Sequence, residues 1–190
     1  EALMKIPFGK ISSIPVKYGK DSSVKINYYL TTLQMELDNA VYGHIDSKLQ
    51  IMQLAAQWIS NPDSVPQVIG IQGPPGNGKT TLARSGIAKA LNRPFSMVSL
   101  GGASDGSFLE GHSFTYEGAT YGRIAGILME TGVMNPVIYF DEVDKISVSE
   151  KGDEISGILT HLTDRSQNEA FQDRFFDGIN LDLSKALILF

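Results

Sequence analysis

The 190-residue chain contains no cysteine, a single tryptophan and three histidines. Without a thiol there is no disulfide framework, no thiolate zinc site and no cysteine nucleophile. The histidines, at positions 44, 112 and 161, are too scattered to read as a metal-ligating group. Long apolar runs are missing as well: none approaches the roughly 18–20 residues that a membrane-spanning helix needs. The opening residues, Glu1-Ala2-Leu3-Met4-Lys5-Ile6-Pro7, lack the charged lead and apolar stretch of a secretory signal. Charged residues make up 19% and hydrophobic residues 42%, a globular balance that excludes a disordered chain. These absences predict an intracellular protein, cytoplasmic or in an organelle matrix, neither secreted nor membrane-bound.

A strongly basic surface is also lacking. The net charge is −5. Residues 1–30 carry five lysines against Glu1 and Asp21, whereas the remaining 160 residues hold 11 basic and 19 acidic side chains. A nucleic-acid binder shows its basic stripe on the folded domain, and here the bulk is acidic. The charge therefore argues against nucleic acid as the main ligand.

What is present is an alternation of patterns. Pro7, Gly9, Pro15 and Gly19 punctuate an extended arm. A helix is predicted over 25–38, with Ile26, Leu30, Leu33 and Leu37 on one face. A second helix is predicted over 46–60, with Ile45, Leu49, Met52, Ala56 and Ile59 as its apolar row and Trp58 off it. Beyond Asn61-Pro62-Asp63 the chain changes character. Short apolar runs at 68–71, 95–100, 137–140 and 186–190 read as strands, separated by helical patterns from Lys79, over 121–131 and over 153–162. Strands alternating with helices mean a parallel sheet covered by helices. The predicted class is α/β, with residues 1–40 as an N-terminal arm and helix and residues 41–190 as the α/β subdomain.

Gly73-Pro74-Pro75-Gly76-Asn77-Gly78-Lys79-Thr80 fits the phosphate-loop pattern, with a strand predicted before it and a helix after it. Glycines there let backbone N–H groups turn inward around a phosphate, at a helix N-terminus. Lys79 is the candidate for the β/γ-phosphates and Thr80 for Mg²⁺. The third strand ends in Asp141-Glu142. In an open parallel sheet the ligand crevice lies at the carboxyl ends of the strands. Asp141 is the candidate second ligand of Mg²⁺, and Glu142 the candidate that orients and polarises the attacking water. The expected cofactors are ATP and Mg²⁺. Ser184-Lys185 supplies the residue types of a serine–lysine dyad, but neighbours entering a strand point to opposite faces and cannot pair.

The phosphate loop together with Asp141-Glu142-Val143-Asp144-Lys145 resembles an AAA+ ATPase module, and more narrowly that of Lon-type ATP-dependent proteases. Leu91-Asn92-Arg93-Pro94-Phe95, Ser99-Leu100-Gly101-Gly102 and Gly122-Arg123-Ile124 carry the narrower likeness. So do Gly111-His112 with Thr115-Tyr116-Glu117-Gly118, Gln167-Asn168 and Asp182-Leu183-Ser184-Lys185. The resemblance covers nearly the whole chain. It implies a P-loop NTPase sheet flanked by helices, the large AAA+ subdomain, ending before the family's sensor, arginine finger and lid. It implies a nucleotide-binding set of Gly73, Pro74, Pro75, Gly76, Asn77, Gly78, Lys79, Thr80, Thr81 and Asp141, with Tyr42 and Gly43 bordering the adenine. It also implies a homo-oligomeric ring, a hexamer, acting on polypeptide substrates, with Tyr116 on a pore loop that grips the translocating chain. A protease-free AAA+ remodelling chaperone would share these residues, and a P-loop kinase would share the phosphate loop alone.

The chain departs from the family in places. Glu110, Ser113 and Phe114 stand where basic residues are usual around the Gly-His segment, and Thr120-Tyr121-Gly122 replaces a Met-Pro-Gly. One additional residue falls in the helix after the phosphate loop, near Gly86, and another near 178–181. Both ends of that helix must keep their places, so the insertion predicts a π-bulge or broken turn around 84–88.

Overall fold

A computed structural model describes residues 2–190 apart from 63, 65–67, 102, 104, 116–117 and 147–148. The chain packs as two compact units, one of residues 12–65 and 71–95 and the other of residues 1–11, 66–70 and 96–190.

The first of these units is helical. Its arm, broken by Pro15 and Gly19, ends at Ser22, whose hydroxyl accepts the Lys25 N–H at 3.3 Å and starts α1, Ser23–Ala40. The expected apolar stripe forms: Leu33 and Leu37 are buried and Ile26 and Leu30 partly so. Helix α2 spans Ile45–Ser60, but its buried face is Ile51, Leu54, Ala55, Trp58 and Ile59. Ile45 and Leu49, expected inside, are 78% and 56% exposed. The helix carries two overlapping apolar rows, and the row holding the indole wins because it removes the larger apolar area from water. Trp58 lies under the Arg93 guanidinium, 4.2 Å from ring centroid to Cζ. Burial lowers the Arg93 pKa to about 10.

Helix α3, Lys79–Thr81, passes directly into a π-helical segment, Leu82–Ala88. The buried residues explain why. Leu82, Gly86 and Ala90 form one row, and Ala83, Ile87 and Leu91 another, each at a strict spacing of four. Such a row outruns the α-repeat of about 3.6 residues. Widening the turn returns both rows to one face, against Leu37 of α1, whose Cδ2 would lie 3.1 Å from a Cβ on Gly86. The predicted bulge is therefore present, and slightly longer than expected.

The other unit holds a three-stranded sheet in the order β1 (Phe95–Ser99), β2 (Val137–Asp141), β5 (Leu187–Leu189). Strand β2 is parallel to β5, with Val137 opposite Leu187 and Tyr139 opposite Leu189. Among the described residues, the run at 68–71, predicted as a strand, contributes a parallel bridge from Ile69 to Leu189. The short helix α4 (Ser107–Glu110) and helix α5 (Arg123–Thr131) connect β1 to β2, and α6 (Glu150–Thr163) follows β2. Ser149 caps α6, its hydroxyl accepting the Gly152 N–H. Val98, Leu109, Ile124, Ile127, Ile138, Phe140, Ile155 and Ile188 belong to one buried cluster. A two-residue hairpin, β3 (Phe171–Gln172) with β4 (Asn180–Leu181), pairs Phe171 with Leu181. Elements this short leave no periodicity to read. Among the described residues no helix is long and apolar enough to cross a membrane.

Deleting Ser85 should convert the π segment to a regular α-helix, because it turns both buried spacings from four–four into the α-compatible three–four pattern. Stability should stay within about 1 kcal/mol of the parent. Deleting Gln53 from α2, a regular helix, swings Ile51 about 100° away from Leu54 and Trp58 and should cost more than about 3 kcal/mol. Chemical denaturation of both variants checks this, and equal losses would contradict it.

Candidate functional site

In the helical unit the chain approaches the loop from Ile71-Gln72 and turns at Gly76 and Gly78, with φ values of 76° and 78°. Side chains disfavour that left-handed region, which is the local reason for glycine at both positions. Gly78 leads straight into α3, and its carbonyl accepts the Leu82 N–H at 2.8 Å. The Lys79 ammonium donates to the carbonyls of Gly73 (2.7 Å) and Pro74 (3.1 Å), so the cation lies within the curve of its own loop. Thr80 is partly buried and Thr81 exposed at the start of the helix. Val41 packs against Gly78, at 3.4 Å from the position a Cβ would take. The next residue, Tyr42, is 99% exposed, and Gly43 and His44 both have positive φ before α2 begins.

In the sheet unit β2 is buried along Val137–Phe140 and reaches the surface at Asp141. The Asp141 carbonyl accepts the Leu100 N–H at 3.0 Å. Its carboxylate accepts from the Tyr139 hydroxyl at 3.2 Å and from the Glu142 N–H at 3.0 Å. The Glu142 backbone is left-handed, with φ 60° and ψ 36°, an uncommon conformation for a side-chain-bearing residue. It throws the carboxylate back toward β1, where Oε2 accepts the Ser99 hydroxyl at 3.0 Å. Oε1 forms an ion pair with Lys145 one turn on. Gly101 lies so close to Oε2 that a Cβ there would overlap it. The Lys145 ammonium first, and the Ser99 hydroxyl second, hold the Glu142 carboxyl below the usual glutamate range, and Glu142 in turn raises the Lys145 pKa.

The predicted residues thus gather in two groups: Tyr42, Gly43 and 73–81 in the helical unit, and Asp141 with Glu142 in the sheet unit. Tyr116 lies outside the described residues. Sequence reasoning missed the restraint on Glu142. Ser99 and Lys145 stood in the motifs that carried the resemblance, but motif matching says nothing about which side chain holds which. No group of three or more candidate metal ligands occurs among the described residues.

The family described as "ATPase family associated with various cellular activities (AAA)" matches residues 69–182. A Lon protease homolog of Acanthamoeba polyphaga mimivirus is 48% identical over 172 residues, 90% of this chain and 17% of that protein. A Lon protease of Parabacteroides distasonis is 42% identical, covering 91% of this chain and 20% of its own length. The Lon protease homolog 1, mitochondrial, of Arabidopsis thaliana is 39% identical over 86% of this chain and 17% of its own length. The chain spans about a fifth of the length of these curated relatives. With its parallel strands, flanking helices and a match over most of its length, the chain belongs to the AAA family of ATPases.

Proposed function

We propose that this chain is the nucleotide-hydrolysing part of a Lon-like machine that unfolds polypeptides and threads them through a homo-hexameric ring. The observation that carries this reading is the conformation of the phosphate loop, with left-handed glycines at 76 and 78 and the Lys79 ammonium inside the curve. Each unit brings residue types that suit a nucleotide with its magnesium: an ammonium, threonine hydroxyls and loop amides in the helical unit, and a carboxylate pair in the sheet unit. Gly73, Pro74, Pro75, Gly76, Asn77 and Gly78 would wrap the phosphates, with Lys79 at the β and γ groups and Thr81 beside them. Thr80 and Asp141 would hold Mg²⁺, which when bound neutralises phosphate charge. Tyr42, exposed beside Gly43, offers an aromatic face to the adenine.

Glu142 is the base in this reading. Its task requires an ionised carboxylate that accepts a proton from the attacking water. The Lys145 and Ser99 contacts favour that ionised form. Tyr116 would grip the polypeptide, an aromatic face packing against any side chain without demanding a sequence.

Each of these roles has a measurable outcome. Lys79→Ala should weaken nucleotide binding on the order of 100-fold or more, since several charge-assisted bonds go with the cation. Glu142→Gln should keep binding and slow hydrolysis by about 10²–10⁴-fold. Calorimetry and steady-state ATPase assays separate the two; equal loss of binding would sink the division of labour. On acid titration Glu142 should remain ionised after ordinary exposed glutamates have protonated. A lowered folded-state pKa means that this contact supports the fold above the unfolded value and is lost as pH falls through the folded one. Carbon NMR of the carboxyl group should show the midpoint move upward in Lys145→Ala. Tyr116→Ala in the full-length protein should leave stability within about 1 kcal/mol, as at exposed positions. It should cut unfolding of folded substrates while sparing basal ATPase, and unfolding of the variant itself would instead make Tyr116 a core residue.

A further inference from the structure

Residues 111–115 and 118–122 lie between α4 and α5, and the outer ends of these two stretches form a closed neck. The Gly111 N–H donates to the Ser107 carbonyl at 2.7 Å, and the His112 N–H donates across the neck to the Thr120 carbonyl at 3.0 Å. The two ends meet backbone to backbone. A Cβ on Gly111 would lie 2.7 Å from the Gly122 nitrogen, and one on Gly122 would overlap the Leu109 carbonyl oxygen. Neither end tolerates a side chain.

Into this neck projects Asp173, from the connection between β3 and β4. It is fully buried. Its Oδ2 accepts the Gly122 N–H at 2.7 Å, and its Oδ1 accepts the Phe175 N–H at 2.9 Å. Its carbonyl accepts the Phe176 N–H at 3.0 Å. One oxygen thus caps a turn of its own segment, while the other reaches a loop end 51 positions away. Burying a carboxylate is costly, and burial does push the Asp173 pKa up against the pull of these amides. A turn cap needs no such burial, since a surface serine would serve. The second oxygen is what the buried carboxylate adds.

The surroundings extend the same connection. The Phe114 ring, on the loop and 71% exposed, meets Phe175 edge-on at 5.5 Å. Tyr121 contacts Phe175 and stacks on Phe176, each at 6.2 Å. The Arg174 Nε donates to Glu110 at 3.0 Å, just before the neck. Residues 173–176 therefore bind the loop at Gly122, meet Phe114 and Tyr121 on it, and pair with Glu110 just before the neck.

We propose that Asp173 is a positioning residue for the 111–122 loop: its Oδ2 bond to Gly122 holds the neck so that force from nucleotide turnover reaches the polypeptide through the loop. This rests on the reading of that loop as the polypeptide-gripping one. Asp173 touches neither nucleotide nor polypeptide in this role. Its removal should therefore uncouple turnover from threading rather than abolish turnover.

The test compares Asp173→Ser, Asp173→Asn and Tyr116→Ala in the full-length protein. Serine can still cap the Phe175 N–H but is too short to reach Gly122, so it separates the clamp from the turn. Asparagine keeps the size and sets an NH₂ against one of the two N–H donors, a second route to the same loss should serine fail to fold. Hydrogen exchange of His112 and Gly122 should rise about tenfold or more in either variant, with the β2 and β5 amides unchanged. Unfolding of a folded substrate should fall at least about fivefold while basal ATPase stays within about twofold, the signature of lost coupling. Unchanged exchange at the neck would overturn the clamp. Faster exchange with normal substrate unfolding, alongside a defective Tyr116→Ala, would overturn the positioning role alone. Normal unfolding in Tyr116→Ala would bring down the reading of the loop, and this proposal with it.

Discussion

Burial of β2 on both faces is the constraint from which the sheet unit is built. Val137, Ile138, Tyr139 and Phe140 are each at most 2% exposed, so every side chain along the strand must find apolar neighbours. Partner strands flank it, with β5 in parallel register, and α5 and α6 contribute to the same buried cluster as Ile138 and Phe140. A strand enclosed in this way can bring charge to the surface only at its end. Asp141 and Glu142 stand there because a charge on any of the four residues before them would be buried. The chemistry sits where the packing stops.

The same logic explains how the helix after the phosphate loop meets two demands. Lys79 and Thr80 are tied to the loop at one end, and Leu91 must be buried at the other. The residues between are one too many for an α-helix with a single inward face. The π segment widens the ladder and keeps both rows buried, with Gly86 close under Leu37. Bulges of this kind are frequent near functional sites because the ends are fixed by something other than the helix. Here the fixed ends are a phosphate loop and a core leucine.

Much of this was legible in the sequence. The α/β alternation, and the places of α1, α5 and β2 to within two residues at each end, follow from periodicity, and the π segment follows from the one residue that the chain has beyond the family it resembles. The buried face of α2 was not legible. Two apolar rows compete on it, and only packing around Trp58 decides between them. The strand at 68–71 reduced to a bridge because, among the described residues, its pairing rests on Ile69 with β5. The clamp at Asp173 left no signal in the sequence, since an aspartate in a short hairpin connection reads as an ordinary turn residue. Its significance lies in a bond spanning 51 positions, which local pattern does not encode.

The two restrained carboxylates, Glu142 and Asp173, differ in a way that matches their proposed duties. Glu142 is held by Lys145 and Ser99 at the surface, where its side chain keeps 36% of its exposure and Lys145 keeps 59%. Exposed pairs of this kind contribute little net stability, because water competes for both partners. They bias protonation while staying exchangeable with solvent, so the carboxylate can trade one of these partners for a water. Asp173 is fully buried and bound by backbone amides on two segments. Releasing it would leave unsatisfied polar groups in the interior, which is far more costly. A base that must move its proton sits in the exchangeable environment, and a residue that must hold a loop sits in the fixed one. Exchanging those environments would defeat both roles, since a buried Glu142 would resist ionisation and an exposed Asp173 would let the neck open.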